Sequence, residues 1–187
     1  MANKDAAFGL KAIGKTGQNR DNQGLSEYSI AANETAIYQW DPVVGEAGGT
    51  VAVAAAGSTL IGSLNGVFFT DASTGKPTFA NHLAGSNAAT DIVGYVSDDP
   101  YERFEIQCDG AFNATSIFSN VDITYAAGSA PNYVSKVEAD ISTATTTTAQ
   151  LRIVGVSKDP ENNDSSATDV NAIVQINEHL LKSTTGV

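Results

Sequence analysis

The chain is poor in several residue types, and each shortage excludes a class of architecture. It holds one cysteine, Cys108, so no disulfide can form within it and the fold does not depend on oxidation. No apolar run approaches the roughly 20 residues that a membrane-spanning helix requires. The first residues also lack the apolar stretch of a signal peptide. We therefore expect neither a disulfide framework nor a membrane partner.

Basic residues are scarce as well. Ten Lys and Arg stand against 21 Asp and Glu, which gives a net charge of −11. Nucleic-acid phosphates require clustered cationic side chains, so we expect no nucleic acid as a partner. The few cations are unevenly placed, because residues 1–24 hold four of them and only two acids. The remainder of the chain is strongly acidic.

Motifs for catalysis and cofactor binding are missing. There is no GxSxG nucleophile elbow, no P-loop and no GxGxxG segment after a strand. Two distant histidines and one cysteine cannot form a zinc finger, and the acidic turns near residues 98–105 and 159–169 lack EF-hand spacing. We therefore expect that the chain is not an enzyme and has no catalytic residue, cofactor or metal. Whether the acidic turns bind Ca²⁺ stays open.

What the chain does have is a series of short β-forming runs separated by turn residues. Residues 67–80 and residues 92–108 each predict a hairpin, and residues 37–40 predict a strand that Asp41-Pro42 ends. Helical periodicity is poor throughout. The pattern predicts an all-β protein, with a β-sandwich or barrel-like body of jelly-roll or β-tulip type.

The N-terminal residues differ from this body. They are basic and rich in Gly, Asn and Gln, and their apolar residues are scattered. Such a segment buries too little apolar surface to offset its own ordering entropy, so we expect it to contribute little to the core. We predict an extended arm over residues 1–27 and a β-rich body over residues 28–187. An arm of this kind favours an assembly or interaction protein.

The residues expected to contact a partner are the cationic and apolar side chains of the arm and two aromatic residues just behind it. Tyr and Trp are frequent anchors at interfaces, although these two could also cap the core of the body. The predicted contact residues are Lys4, Phe8, Leu10, Lys11, Ile13, Lys15, Arg20, Tyr38 and Trp40.

Three segments of the chain resemble small virion structural proteins of tailed bacteriophages, and most of all capsid decoration (cement) proteins. They are MANKDAAFGLKAIGKTGQNRDNQGLSEYSIA, IVGYVSDDPYERFEIQCDG and VQINEHLL. The resemblance implies a protein made in the host cytoplasm that binds the major capsid protein on the outer surface of the head. It further implies self-association, often as a trimer, and an arm that docks on capsid subunits and stabilises the lattice.

Two alternatives remain beside this interpretation. The first is another virion component, such as a neck, tail or head-fibre protein. The second is a carbohydrate-binding β-sandwich, which would need an exposed aromatic patch. The residues that could supply such a patch are Trp40, Tyr95, Tyr101, Tyr125 and Tyr133.

Overall fold

Strands account for nearly all the regular structure. The computed structural model describes residues 3–16 and 24–187. Its strands are β1 Lys11–Lys15, β2 Ser26–Ser29, β3 Pro42–Gly45, β4 Val51–Val53, β5 Leu60–Thr70, β6 Pro77–Ala80, β7 Val93–Ser97, β8 Glu102–Gln107, β9 Asn120–Thr124, β10 Glu138–Thr145, β11 Leu151–Val156 and β12 Asn171–Ile176. In these residues the helical elements are two single 3₁₀ turns, Ala114–Ser116 and Leu180–Lys182. The all-β prediction is confirmed.

The strands form two antiparallel sheets. The first sheet has the order β2-β7-β5-β3-β4, with β6 paired to the C-terminal half of β5. The second sheet has the order β1-β8-β12-β11-β9-β10. Residues 26–97 therefore build the first sheet and residues 102–176 build the second, to which β1 is added from the other end of the chain.

Each sheet curls around a hydrophobic cluster of its own. Alternate residues of a strand point to the same face, and burial follows this period in the C-terminal half of β5 and at the start of β11, while the first five residues of β5 are buried on both faces. The first cluster includes Ile30, Ile37, Val43, Ile61, Leu64, Val67, Leu83, Ile92 and Val96. The second includes Leu10, Phe104, Ile106, Cys108, Val121, Ile123, Leu151, Ile153, Ala172, Val174 and Ile176. A single backbone bridge, Ser29 to Thr50, connects the two margins of the first sheet, and another, Cys108 to Ala139, connects the end of β8 with β10 in the second sheet.

The two sheets are joined through apolar and polar contacts. Leu60 of β5 packs into the second cluster, although its strand belongs to the first sheet. The buried side chain of Gln150 donates from Nε2 to the carbonyls of Ala55 and Ser58, both at 2.9 Å. Its Oε1 accepts from the backbone N–H of Ile123 at 3.1 Å. A buried amide costs free energy unless its groups are paired, and here both the donor and the acceptor group have partners.

The N-terminal segment, residues 3–16, lies along the body and enters its core. β1 pairs with β8, and the Leu10 side chain is fully buried (0% exposed) in the second cluster. The backbone of Leu10 is held by the first sheet, since its N–H donates to the carbonyl of Trp40 at 2.9 Å. Its own carbonyl accepts from Ser63 Oγ at 2.7 Å.

This packing corrects the expectation that the segment contributes little to the core. The composition argument counted apolar residues, whereas one well-placed leucine is enough when strand pairing and polar contacts fix the backbone around it. Gln107 supplies two such contacts: its Nε2 donates to the carbonyl of Lys4, and its Oε1 accepts from the N–H of Ala6, both at 2.8 Å.

Two local predictions need correction, and one is confirmed. Residues 67–80 form a hairpin as expected, because β5 pairs with β6. Residues 92–108 do form two strands, but β7 lies in the first sheet and β8 in the second, so they are not a hairpin. Pro42 begins a strand instead of following one, because β3 pairs with β5 from Pro42 onward and with β4 from Val43 onward.

The position of Leu10 predicts the cost of removing its side chain. Leu10→Ala leaves a cavity in the second cluster, so we expect the free energy of unfolding to fall by about 2–5 kcal/mol. Chemical denaturation would measure the change. Ile13→Ala is the matched control, because Ile13 lies three residues further along the same segment, in β1, and is 41% exposed. Equal, small effects of both substitutions would show that the segment does not pack in the core.

Candidate functional site

Three of the predicted contact residues come together on the surface. The rings of Phe8 and Trp40 meet edge to face, with centroids 6.5 Å apart and planes at 84°. The Lys11 ammonium lies 5.6 Å from the centroid of the Trp40 ring, within the range of a cation–π interaction. We name Phe8, Lys11 and Trp40 the arm face. It places cationic and aromatic groups together on an acidic protein.

Backbone contacts fix the arm face in position. Trp40 adopts a left-handed conformation (φ 66°), which costs a bulky residue on the order of 1–3 kcal/mol. Its N–H donates to the Leu64 carbonyl at 2.6 Å and its carbonyl accepts from Leu10. Gly9 (φ 79°) is required at the crossing, since a Cβ there would lie 2.5 Å from the Trp40 oxygen. The strained residue is therefore held by its neighbours.

The other predicted residues of the arm lie apart from this face. Lys4 is exposed, and Ile13 is partly exposed. Lys15 forms a salt bridge of 2.7 Å with Asp99, which raises the pKa of Lys15 and lowers the pKa of Asp99. Leu10 is buried, so its assignment as a partner contact is wrong for the folded chain. The predicted contact at Arg20 lies outside the described residues.

Tyr38 belongs to a second aromatic group. His82 stacks on Tyr133 with centroids 4.0 Å apart and planes at 3°, and Tyr38 lies parallel to His82 at 6.3 Å. Gly128 lies against the Tyr38 ring so closely that a Cβ there would be 2.6 Å from the ring. Burial lowers the pKa of His82, which favours the neutral imidazole. The rings contact one another and the chain, and this favours a structural role for the stack.

A buried carboxyl lies directly beside these aromatic residues. Asp41 is fully buried; its Oδ2 accepts from the N–H of Tyr38 at 2.8 Å, and its Oδ1 has no hydrogen-bond partner. Burial raises the pKa of Asp41 from 3.8 to about 6, while hydrogen bonds from Ser135 and Tyr38 offset part of the rise. Hydrogen bonds therefore compensate only part of the charge of this buried carboxylate.

Sequence reasoning missed a third aromatic group as a candidate site. Phe68 on β5 and Phe79 on β6 have ring centroids 4.7 Å apart, and Phe79 and Tyr95 have centroids 6.3 Å apart. Phe79 is 73% exposed. The predicted hairpin of residues 67–80 could have indicated this group, because its register places Phe68 directly opposite Phe79.

Two groups that could act as nucleophile or base, Cys108 and His179, are buried and neutral. Burial raises the pKa of the Cys108 thiol to about 12, so the reactive thiolate is scarce at neutral pH. Burial lowers the pKa of His179 to about 4, with Lys182 adding to the effect. His179 Nδ1 accepts from the N–H of Leu181 at 3.1 Å. This arrangement caps a 3₁₀ turn and leaves Nδ1 unavailable as a base.

One group of carboxylates could hold a cation. Among the residues the structure describes, the carboxylate oxygens of Asp5, Glu138 and Asp169 lie within 4.8 Å of one another. Burial raises the pKa of Glu138, and the nearby charges of Asp109, Asp5 and Asp169 raise it further. Oxygen ligands of this kind suit Ca²⁺ or Mg²⁺. Of these three residues, the sequence pattern had indicated only Asp169, within the acidic turn of residues 159–169.

Comparison with known proteins adds no relative. No family model, no curated protein sequence and no solved structure matches the chain. Within residues 3–16 and 24–187, no helix has the length and apolarity needed to cross a bilayer.

Asp41 predicts a specific dependence of stability on pH. Its pKa is higher in the folded chain (about 6) than the ordinary 3.8, so the folded state binds the proton more tightly. The contribution of Asp41 to stability is thus fully present below pH 4 and declines as the pH rises to about 6. Over that window wild type should lose about 1–3 kcal/mol relative to Asp41→Asn.

Denaturation of both proteins from pH 3.5 to pH 8 would measure this difference. Asp71→Asn is the control, because the backbone N–H of Thr74 lowers the pKa of Asp71 and its difference from wild type should have the opposite sign. A difference between wild type and Asp41→Asn that stays constant with pH would contradict the assignment.

Proposed function

We propose that the chain is a structural virion protein that binds the outer surface of a phage capsid and stabilises its lattice. The resemblance to decoration proteins suggests the class. The observation that carries the proposal is the arm face, where Phe8, Lys11 and Trp40 form a cationic and aromatic surface on a strongly acidic protein. Trp and aromatic residues are typical anchors of protein interfaces.

The position of the arm face in the fold supports docking on another protein. β1, which begins at Lys11, is the first strand in the order of the second sheet, and no other described strand pairs with its outer edge. An extended segment of a capsid subunit could add to this edge by main-chain hydrogen bonds. Side chains beside the edge would then give the contact its specificity.

The structure changes how such docking would operate. An arm that orders only on binding loses conformational entropy at that step, whereas residues 3–16 are already fixed on the body by β8, Trp40 and Ser63. A fixed surface avoids this cost and binds more tightly for the same contacts. Many copies on one capsid would add avidity. The proposal also includes self-association, for which the resemblance suggests a trimer.

The arm face can be tested with a charge reversal at its exposed cation. Lys11→Glu should weaken binding to capsid shells from which the protein has been stripped by roughly fivefold to tenfold, since about 1 kcal/mol corresponds to this change. Lys158→Glu is the matched control, because Lys158 is exposed in a turn after β11. Sedimentation of shells with bound protein would give both affinities.

Two results would contradict the proposal. Wild-type protein that does not rebind to stripped shells would end the capsid interpretation. Equal weakening by Lys11→Glu and Lys158→Glu would show that net charge, and not the arm face, controls binding.

A further inference from the structure

The outer face of the first sheet carries an exposed aromatic surface that the proposed function does not use. We name Phe68, Phe79 and Tyr95 the sheet face. The register places Phe68 between Phe79 on β6 and Val93 on β7. Gly66 lies opposite Tyr95 and has no side chain. The Tyr95 and Phe79 rings, which are two strands apart, therefore approach to 6.3 Å across β5.

These rings are not part of the core. Along β5 and β7 the alternate residues Val67, Phe69 and Val96 enter the first cluster, so the sheet face points the other way. Phe79 is 73% exposed, and no other described strand pairs with the outer edge of β6. A fully exposed phenylalanine side chain lacks the stabilisation of about 1.5–3 kcal/mol that burial would give it. A partner that covers the ring would recover this free energy.

The first sheet comes from a mainly acidic part of the chain, and two of its carboxylates lie beside the sheet face. Residues 24–97, which build this sheet, contain six acids and a single base, Lys76, and one of the acids, Asp41, is buried away from the surface. Glu27 is exposed and lies directly opposite Tyr95. Asp91 accepts from the N–H of Thr70 at 3.0 Å, and contacts with Thr70 lower the pKa of Asp91. The Asp91 carboxylate is therefore ionised at neutral pH.

We propose that the sheet face is a second docking surface, whose partner is a basic protein surface with an apolar side chain at its centre. The charge selects the partner: a surface of lysines and arginines complements the acidic margin, while a second acidic surface would be repelled. This inference rests on the proposed function in one respect, since on a capsid the basic partner would be a capsid subunit. It names a site distinct from the arm face and of opposite charge.

Two synthetic hexapeptides would test the chemistry directly. One alternates lysine with leucine and the other alternates glutamate with leucine. The lysine peptide should shift the backbone amide NMR signals of Phe68, Phe79 and Tyr95, and added salt should weaken its binding. The glutamate peptide should leave those signals unchanged. Equal binding of the two peptides would overturn the proposal.

A matched pair of variants locates the site. Phe79→Ala should weaken binding of the lysine peptide at least about tenfold, as expected for an interface anchor. Phe118→Ala removes an equally exposed ring (76%) that lies outside the sheet face, and it should bind as wild type does. An unchanged affinity of Phe79→Ala would overturn the proposal.

Two further measurements separate this inference from the capsid function. If stripped shells rebind wild type and Phe79→Ala equally well, the capsid function stands and the sheet face is not its contact. If shells bind neither protein while the lysine peptide still requires Phe79, the capsid function fails and the sheet face stands. Analytical ultracentrifugation tests whether a second copy of this chain, and not a basic protein, covers the sheet face. Wild-type oligomers that become monomers in Phe79→Ala would show that a second copy covers the sheet face, and this would overturn a basic partner.

Discussion

The insertion of Leu10 into the second hydrophobic cluster is the contact on which the rest of the structure depends. Its side chain is buried among residues of the C-terminal strands, but its backbone is held by Trp40 and Ser63 of the first sheet. One residue thereby connects both sheets and the N-terminal segment. Because its partners are distant in sequence, this connection forms only when the whole chain is folded, as is typical of β proteins with non-local pairing.

The same contact explains why the arm face is rigid. Alternation along an extended segment turns Leu10 inward and its neighbour Lys11 outward, and the carbonyl that fixes Leu10 belongs to Trp40. The lysine and the indole therefore keep their relative positions without a dedicated scaffold. The left-handed conformation of Trp40 and the buried carboxyl of Asp41, whose Oδ1 has no hydrogen-bond partner, are the unfavourable features of this junction. The packing around this junction offsets the cost of both features.

Much of the fold was predictable because its signals are local. Turn residues and β-branched runs indicated the all-β class and the hairpin of β5 and β6. The sequence could not show that β7 and β8 belong to different sheets, since a change of sheet depends on which cluster each strand covers. Nor could composition reveal that Leu10 is buried. A count of apolar residues indicates how much surface a segment can bury. It does not show whether one particular side chain packs in the core.

The candidate surfaces also differ in whether the sequence could predict them. The pairing of Phe8, Lys11 and Trp40 follows from a segment expected to contact a partner, while the sheet face arises from cross-strand register, which needs the sheet order. The acidic group of Asp5, Glu138 and Asp169 joins residues far apart in sequence, and the local pattern indicated only Asp169. Residues that act through distant pairing are thus the ones that sequence patterns miss.

The fold is an acidic body that presents two aromatic surfaces, the arm face with one lysine and the sheet face with acidic residues beside it. The central proposal is that the chain is a lattice-wide component of a capsid. Quantitative mass spectrometry of purified virions tests it most directly, by comparing the amount of this chain with that of the major capsid protein. A simple stoichiometric ratio between the two is the result we expect. An amount far below that ratio, or absence from the particle, would contradict the claim.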